Sequence, residues 1–289
     1  MSGFLPLRIV LQGQRLDTSL VAAAAELLGA TRSGFRGAAV ATLDGIADSP
    51  APQARLRLRE LCDAAAVDLC FVEQPRPLAD FRLAVMDMDS TMITIECIDE
   101  IADMQGLKPQ VSAITERAMR GELDYPASLR QRVALLRGLP VAALERVYEE
   151  RLRLSPGAET MLSAFRAAGL KTLLVSGGFT FFASRLRERL GLDEARANTI
   201  GVRDGLLTGE VEGEIVDAGA KRRELVAMCA RICATPDQAI AIGDGANDLD
   251  MMGAAGVSIA YHAKPVVRER ATHAISHNGL DAVAALFAA

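Results

Sequence analysis

The residues of this chain best suited to chemistry are acids placed just after apolar runs. Asp87 and Asp89, separated by one residue, follow Leu83-Ala84-Val85-Met86. Asp244, Asn247 and Asp248 sit in the glycine-rich stretch Gly243-Asp244-Gly245-Ala246-Asn247-Asp248, after a second apolar run at 239–242. Between them, Ser176-Gly177-Gly178 follows Leu173-Leu174-Val175, and Lys221 opens a helical stretch. Carboxylates and carbonyls favour a hard cation, so Asp87, Asp244 and the main-chain carbonyl of Asp89 suit Mg²⁺ together with waters and a phosphate oxygen. The hydroxyl and N–H groups of Ser176 and Gly177 suit an anion, and glycine lets it come close. An anionic phosphate approaches clustered carboxylates only if a metal and Lys221 offset the charge. Each fragment alone has a plainer reading: a solvated turn or helix cap for the acid pair, an ordinary strand–helix turn for the serine and glycines, a solvated helix residue for Lys221. No dinucleotide fingerprint or G-x-x-x-x-G-K-[ST] loop is present.

Elements that place these groups can be read from the pattern around them. The apolar runs predict buried strands with the polar groups at their C-terminal ends, where open α/β sheets bind ligands. Residues two apart in an extended segment face the same side, so Asp87 and Asp89 can serve one site. From residue 81 onward strands alternate with helices, which predicts a parallel sheet. Residues 96 to about 150 read as several helices broken by Pro109, Gly121, Pro126 and Gly138-Leu139-Pro140. Inserted directly after the first strand, they form a candidate cap over its end. Beyond Ser155-Pro156-Gly157 the pattern predicts a helix at 158–168, a strand at 171–175 and a helix opened by Ser176 and running to 190. A hairpin follows over 199–216, around Asp204-Gly205 and Thr208-Gly209, then a helix at 221–232, strands at 239–242, 257–260 and 274–276, and a terminal helix.

Residues 1–80 read separately. A strand at 7–11, a helix at 18–28 capped by Asp17 or Thr18, two short strands punctuated by Gly34 and Gly37 (the second at 38–43), a turn at Asp48-Ser49-Pro50-Ala51-Pro52, a helix at 53–66 and a strand at 67–72 give the order βαββαβ. That order is compatible with a ferredoxin-like α+β domain. Gln74-Pro75-Arg76-Pro77 reads as a linker. The expected division is a domain at 1–76 and a catalytic domain at 81–289, with its cap insertion at about 96–152. The first domain is open to two roles, a structural or dimerising module and a small-molecule sensor.

The bulk numbers exclude some classes. The chain has 289 residues, half of them hydrophobic, and a formal net charge of −5. This argues against a general nucleic-acid or anionic-membrane surface. No apolar run is long enough to span a bilayer, and residues 1–6 lack a basic segment followed by an apolar one. The five cysteines, Cys62, Cys70, Cys97, Cys229 and Cys233, form no C-x-x-C pair, and with His262, His273 and His277 they give no compact ligand set. Reduced thiols in a cytoplasmic protein are the expectation.

Taken in order, D-M-D-S-T, S-G-G-F, a downstream lysine and G-D-G-A-N-D resemble the motifs of the haloacid dehalogenase-like superfamily, from about residue 83 to the C-terminus. Within it the resemblance is to the phosphoserine-hydrolysing branch. It implies a Rossmannoid parallel sheet with a helical cap, preceded in some members by an ACT-like domain. It further implies Mg²⁺-dependent hydrolysis of O-phospho-L-serine, the last step of serine synthesis. Asp87 would be the nucleophile that forms an aspartyl-phosphate, and Asp89 the proton donor and acceptor. Ser176, Gly177 and Lys221 would hold the phosphoryl group. Asp87, Asp89 and Asp244 would hold the metal, with Asp248 in support through water or Lys221, and Asn247 would contact phosphate or substrate. By the same resemblance Glu96 would take the substrate ammonium, Arg132 its carboxylate, and Met119 and Tyr125 would be apolar cap residues over it. From the residues alone, Glu96 and Arg132 also fit a solvated helix face. The implied partner is this small molecule, with no nucleic acid or membrane, and a homodimer through the N-terminal domain is a further expectation. Two rival functions stand beside this one: transfer of the phosphoryl group to another alcohol such as homoserine, and non-catalytic amino-acid sensing.

Overall fold

A computed structural model describes residues 7–46 and 49–288. Residues 1–6, where the absence of a leader was read, and Asp48 of the expected turn lie outside the described residues. The first part of the chain runs β1 (Leu7–Gln12), α1 (Thr18–Leu28), β2 (Arg32–Arg36), β3 (Val40–Asp44), α2 (Pro52–Ala64) and β4 (Asp68–Glu73). Its four strands form one antiparallel sheet in the order β2-β3-β1-β4. Val21, Ala24 and Leu28 of α1 and Leu58 and Cys62 of α2 pack with Ile9, Leu11 and Leu43 of the sheet. The side chain of Asp17 caps α1 by accepting from the N–H of Ser19, and Gly29 ends it in the left-handed conformation. The second hairpin strand begins two residues later than the 38–43 expected, because Gly37 (φ +66°) belongs to the turn.

The larger sheet begins with β5 (Leu83–Met86), followed by helices α3 (Cys97–Met104), α4 (Lys108–Met119), α5 (Tyr125–Ala134) and α6 (Ala142–Glu150). It continues through α7 (Ala158–Ala167), β6 (Lys171–Phe179), α8 (Thr180–Leu190), β7 (Glu194–Arg203) and β8 (Leu206–Glu212). The remainder is α9 (Ala218–Arg231), β9 (Ala239–Gly243), α10 (Leu249–Met252), β10 (Val257–Tyr261), α11 (Pro265–Arg270) and β11 (His273–Ile275). Strand order is β11-β10-β9-β5-β6-β7-β8, parallel throughout except for the β7–β8 pair. Every residue of β5 and of 239–242 is fully buried, which is why these strands read as continuous apolar runs rather than alternating ones. Their register pairs Met86 with Ile242, so Asp87 and Asp244 leave neighbouring strands at the same sheet edge.

Three expectations are corrected here. The segment Ser176-Gly177-Gly178 does not open a helix; β6 continues to Phe179 across a register shift after Val175, and α8 starts at Thr180. Without Cβ atoms, Gly177 and Gly178 let the strand bulge, and the Ser176 hydroxyl stabilises the bulge by accepting from the N–H of Gly178 at 2.8 Å. The hairpin turns only at Asp204-Gly205, both at positive φ, whereas Thr208-Gly209 lies inside β8, where Gly209 passes close to Arg137. The terminal segment Leu280–Leu286 is a 3₁₀ helix, not an α-helix.

Helices α3–α6 enter and leave the sheet through a narrow neck. Thr94 donates its N–H to Arg153 and Ser155 donates to Met92, each at 3.0 Å. The two sheets of the protein meet through Asp68 of β4. Its carboxylate, 3 % exposed, accepts from the N–H groups of Ser276, His277 and Asn278 and from the Asn278 side chain.

Candidate active site

A cavity of about 520 Å³ opens where β5, β6 and β9 end beneath the helices α3–α5. Asp87, Asp89, Glu96, Met119, Tyr125, Arg132, Ser176, Gly177, Asp244 and Asn247 all line it. The structure thus brings together ten of the twelve residues singled out in the sequence. The other two, Lys221 and Asp248, lie directly behind Asp87, each with no exposure at all.

Lys221 is a buried lysine, not a solvated helix residue. Asp217 caps α9 by accepting from the N–H of Ala220, which holds the first turn against the sheet. The Lys221 ammonium then reaches Asp87 Oδ1 at 2.8 Å and Asp248 Oδ1 at 2.7 Å. The support expected from Asp248 is therefore a direct bond to Lys221. Its other oxygen accepts from the N–H of Gly245 at 3.1 Å, and a side chain on Gly243 would collide with it. Asp87 Oδ1 also accepts from the N–H of Met88 at 2.7 Å, which leaves Oδ2 as the oxygen without a protein partner. Asp244 likewise has one committed oxygen, which accepts from the Thr91 hydroxyl at 3.1 Å.

The charges indicate what the site can hold. Carboxylate oxygens of Asp87, Asp244 and Asp248 lie within 4.8 Å of one another, and three carboxylates against one ammonium leave a formal charge of −2. Burial, then Asp248 and Asp244, push the Asp87 carboxyl well above its ordinary range, against the pull of Lys221. Burial and Asp248 raise Asp244 to about 6. Burial disfavours the Lys221 ammonium, but Asp87 and Asp248 outweigh it, so its pKa is raised and it stays charged. One lysine shared between two carboxylates cannot neutralise the third. An all-oxygen donor set with uncommitted oxygens on Asp87 and Asp244 fits a hard divalent cation. The Asp89 carboxylate is not in this group.

Asp89 points the other way. Its Oδ1 accepts weakly from the N–H of Cys97 at 3.4 Å, and its Oδ2 lies so close to Gly178 that a Cβ there would stand 2.6 Å away. Burial, with the neighbouring Glu96 charge, raises its pKa to about 7. That value lets one carboxyl both give and take a proton near neutrality.

Across the cavity, Glu96 Oε1 accepts from the Ser90 hydroxyl at 2.7 Å, and burial raises the pKa of Glu96. Arg132 has a buried Nε with no hydrogen-bond partner among the described residues. An unpaired guanidinium N–H inside the protein is costly, and a ligand carboxylate would satisfy it. The expectation for the cap's apolar residues is corrected in part. Tyr125 works through its hydroxyl, which donates to the Gly177 carbonyl at 2.9 Å and ties α5 to the bulge of β6. Met119 lines the cavity but is 74 % exposed, so it stands at the mouth rather than over a ligand.

Four contributors escaped sequence reasoning. Thr91 and Ser90 orient Asp244 and Glu96, and their place beside the acid pair was the available signal. Asn198 of β7, fully buried, donates to the Gly177 carbonyl at 2.7 Å and accepts from the N–H of Val216 at 2.8 Å. Nothing near it in sequence marks it. Lys264 lines the cavity from the loop before α11.

Comparison with known proteins gives the family. The haloacid dehalogenase-like hydrolase family matches residues 81–256. A phosphoserine phosphatase from Polaromonas sp. is 58 % identical over 209 residues, 71 % of this chain and 89 % of that protein. A haloacid dehalogenase-family hydrolase from Salmonella enterica superposes over 98 % of both chains with a TM-score of 0.89 at 36 % identity. A phosphoserine phosphatase solved as a phospho-aspartyl intermediate analogue covers 72 % of this chain and 99 % of its own, with a TM-score of 0.67 at 38 % identity. By sequence over most of its length, and by fold, this chain belongs to the haloacid dehalogenase-like hydrolases.

Proposed function

We propose that this chain is a phosphoserine phosphatase, hydrolysing O-phospho-L-serine to L-serine and phosphate, as the last step of serine biosynthesis in the cytoplasm. The observation that carries this reading is one cavity holding two separate machineries. Asp87 is backed by buried Lys221, and the same cavity is lined by Glu96 and by Arg132, whose buried Nε has no partner among the described residues. The first suits a phosphate, the second an ammonium and a carboxylate, and phosphoserine carries all three.

In the first step an Asp87 oxygen attacks phosphorus, an aspartyl-phosphate bond forms and the phosphorus–serine oxygen bond breaks. Asp89 gives its proton to the departing serine oxygen. Water then attacks the phosphorus, Asp89 takes a proton from it, and the bond to Asp87 breaks, which restores the free carboxylate. The pKa of about 7 suits Asp89 to both transfers. Ser176 and Gly177 donate to the phosphoryl oxygens, while Lys221 holds Asp87 in place and offsets the charge gathered there. Mg²⁺ would be held by Asp87, Asp244 and the Asp89 main-chain carbonyl, and when bound it supplies the positive charge that lets a phosphate dianion enter. Asn247 contacts phosphate or substrate at the exposed edge of the cavity.

We further read residues 1–76 as a ferredoxin-like, ACT-like domain, and 81–289 as the catalytic domain with a cap at about 96–152. The alternation β1-α1-β2-β3-α2-β4 and the order β2-β3-β1-β4 support the first assignment. The edge strand β2, exposed along its whole length, is the natural contact for a homodimer.

A panel of phosphomonoesters assayed with Mg²⁺ and with EDTA tests the function. Phosphoserine should be turned over fastest, and EDTA should abolish turnover. Equal turnover of phosphates lacking the amino and carboxyl groups would remove the roles of Glu96 and Arg132, and wild-type activity in Asp87→Asn would remove the nucleophile.

A further inference from the structure

A second cavity, about 690 Å³, lies between the two sheets, walled by α2 and β4 on one side and by α11 and β11 on the other. It shares no lining residue with the active-site cavity. Helix α11 stands between them: Lys264, just before it, lines the active site, while Pro265, Arg268 and Glu269 line the second cleft.

Two kinds of group in this cleft are uncommitted. Arg59 from α2 and Arg268 from α11 face it from opposite walls and make no ion pair among the described residues. Arg55 lies beside them but is committed: its guanidinium stacks 4.5 Å from the Phe71 ring centroid, donates to the Ser49 hydroxyl at 3.2 Å and lies 3.9 Å from exposed Glu73. His273 is the second kind. It is 7 % exposed, it lines the cleft, and its Nδ1 is buried without a hydrogen-bond partner among the described residues. Burial holds the imidazole neutral, with a pKa lowered to about 4. An enclosed unpartnered N–H is costlier than an enclosed unpartnered lone pair. The proton therefore belongs on Nε2, which makes that nitrogen a donor. Asp68, the one deeply buried acid of the lining, has its oxygens bound by the N–H groups of 276–278 and the Asn278 side chain, which offset part of its charge. The remaining acids, Asp63, Glu73 and Glu269, are exposed and limit the charge the cleft tolerates.

We propose that this cleft between the two sheets is a binding site for a small molecule carrying a single carboxylate or phosphate group. Arg59 and Arg268 grip the anion from the two walls, and the His273 Nε2–H donates to it. Guanidinium forks match either group, and a neutral imidazole donor adds a hydrogen bond without adding charge.

The chain has only three histidines, so imidazole NMR reads the cleft directly. The full-length protein is titrated with acetate and, separately, with inorganic phosphate, against sodium chloride at matched ionic strength. Saturable shifts of His273 and His277 are expected with at least one anion and not with chloride, while His262, outside the cleft, stays still. Saturation by acetate identifies a carboxylate ligand, and saturation by phosphate a phosphate ligand. Phosphate held only in the active site leaves His273 unmoved and counts against the proposal. The double variant Arg59→Gln/Arg268→Gln removes two exposed side chains, and it should weaken binding at least tenfold. Responses no different from chloride, saturation that moves His262 as much as His273, or unchanged binding in the double variant would overturn the proposal.

Discussion

Replacing Lys221 by methionine should expose how much of the active site rests on one buried charge. The side chain has no exposed surface, and its ammonium makes two short bonds, 2.8 Å to Asp87 and 2.7 Å to Asp248. Methionine fills similar space but takes away the only cation that, among the described residues, pairs with either acid, which leaves the cluster with three carboxylates and no ammonium. Breaking a buried ion pair from one side costs about 3–5 kcal/mol. At roughly 2–4 °C per kcal/mol for a chain of this size, the metal-free variant should melt about 10 °C or more below wild type at pH 7. The deficit has a sign in pH. Asp87, already held above its ordinary range by burial and Asp248, holds its proton still more tightly in the folded state once the pull of Lys221 is gone, so relative to wild type folding takes up more protons and stability rises as pH falls. The melting gap to wild type should therefore narrow between pH 7 and pH 5, and it should narrow again with added Mg²⁺. Turnover should fall by about 10²–10³ or more, as when a donor to transition-state charge is lost. Thermal melts across this pH range, with and without Mg²⁺, make the measurement. A gap that stays constant with pH and metal would mean lost packing, not lost charge, and near-normal turnover would refute the role given to Lys221.

Two further outcomes follow from neighbouring groups. Asp89 acts first as an acid, so kcat/KM should fall as pH rises through about 7. Glu96 helps to raise that pKa, after burial, and Glu96→Gln should move the fall to lower pH; an unmoved profile would assign it to another group. His273 is buried neutral with a pKa lowered to about 4 from 6.5, while the unfolded chain's histidine protonates near 6.5. The unfolded state therefore binds the extra proton, and the stability held above pH 6.5 is lost progressively as pH falls toward 4. Between pH 7 and pH 5 this amounts to about 2 kcal/mol. Urea denaturation should show that loss in wild type and much less of it in His273→Gln, and equal pH slopes in the two would refute the assignment.

What the sequence made legible were features that short stretches specify by themselves. Two continuous apolar runs could only be strands covered on both faces, so the acids after them had to share a sheet edge, and the register of Met86 with Ile242 put them there. The helical stretch from 96 to 150 had to cover that edge because it was inserted at it. Harder to see was whatever depends on a distant partner. Ser176-Gly177-Gly178 looks like a helix start, since glycine after a strand usually marks a turn. It stays in the strand because Asn198, on the neighbouring strand, and Tyr125, from the cap, both take the Gly177 carbonyl. Taken alone, Lys221 reads as a solvated helix residue for a similar reason, and only its order among the other motifs marks it for the site: a lysine reads as surface until two acids that follow other strands are known to surround it.

The bulge at Gly177 is also where catalysis and cap position meet. The same carbonyl that Asn198 fixes from the sheet side receives the Tyr125 hydroxyl from the cap side. A cap that swung away on its two-stranded neck would break the Tyr125 bond but not the Asn198 bond. The phosphate cradle should therefore keep its shape with the cap open, while Arg132, carried on α5 with Tyr125, would leave. Phosphate binding and recognition of the rest of the substrate are thus mechanically separable. Tyr125→Phe should raise KM for phosphoserine severalfold while leaving the affinity for inorganic phosphate within about twofold, since one neutral hydrogen bond contributes about 1 kcal/mol. If both affinities fell together, the cradle would depend on the cap, and Asn198 would not suffice to hold it.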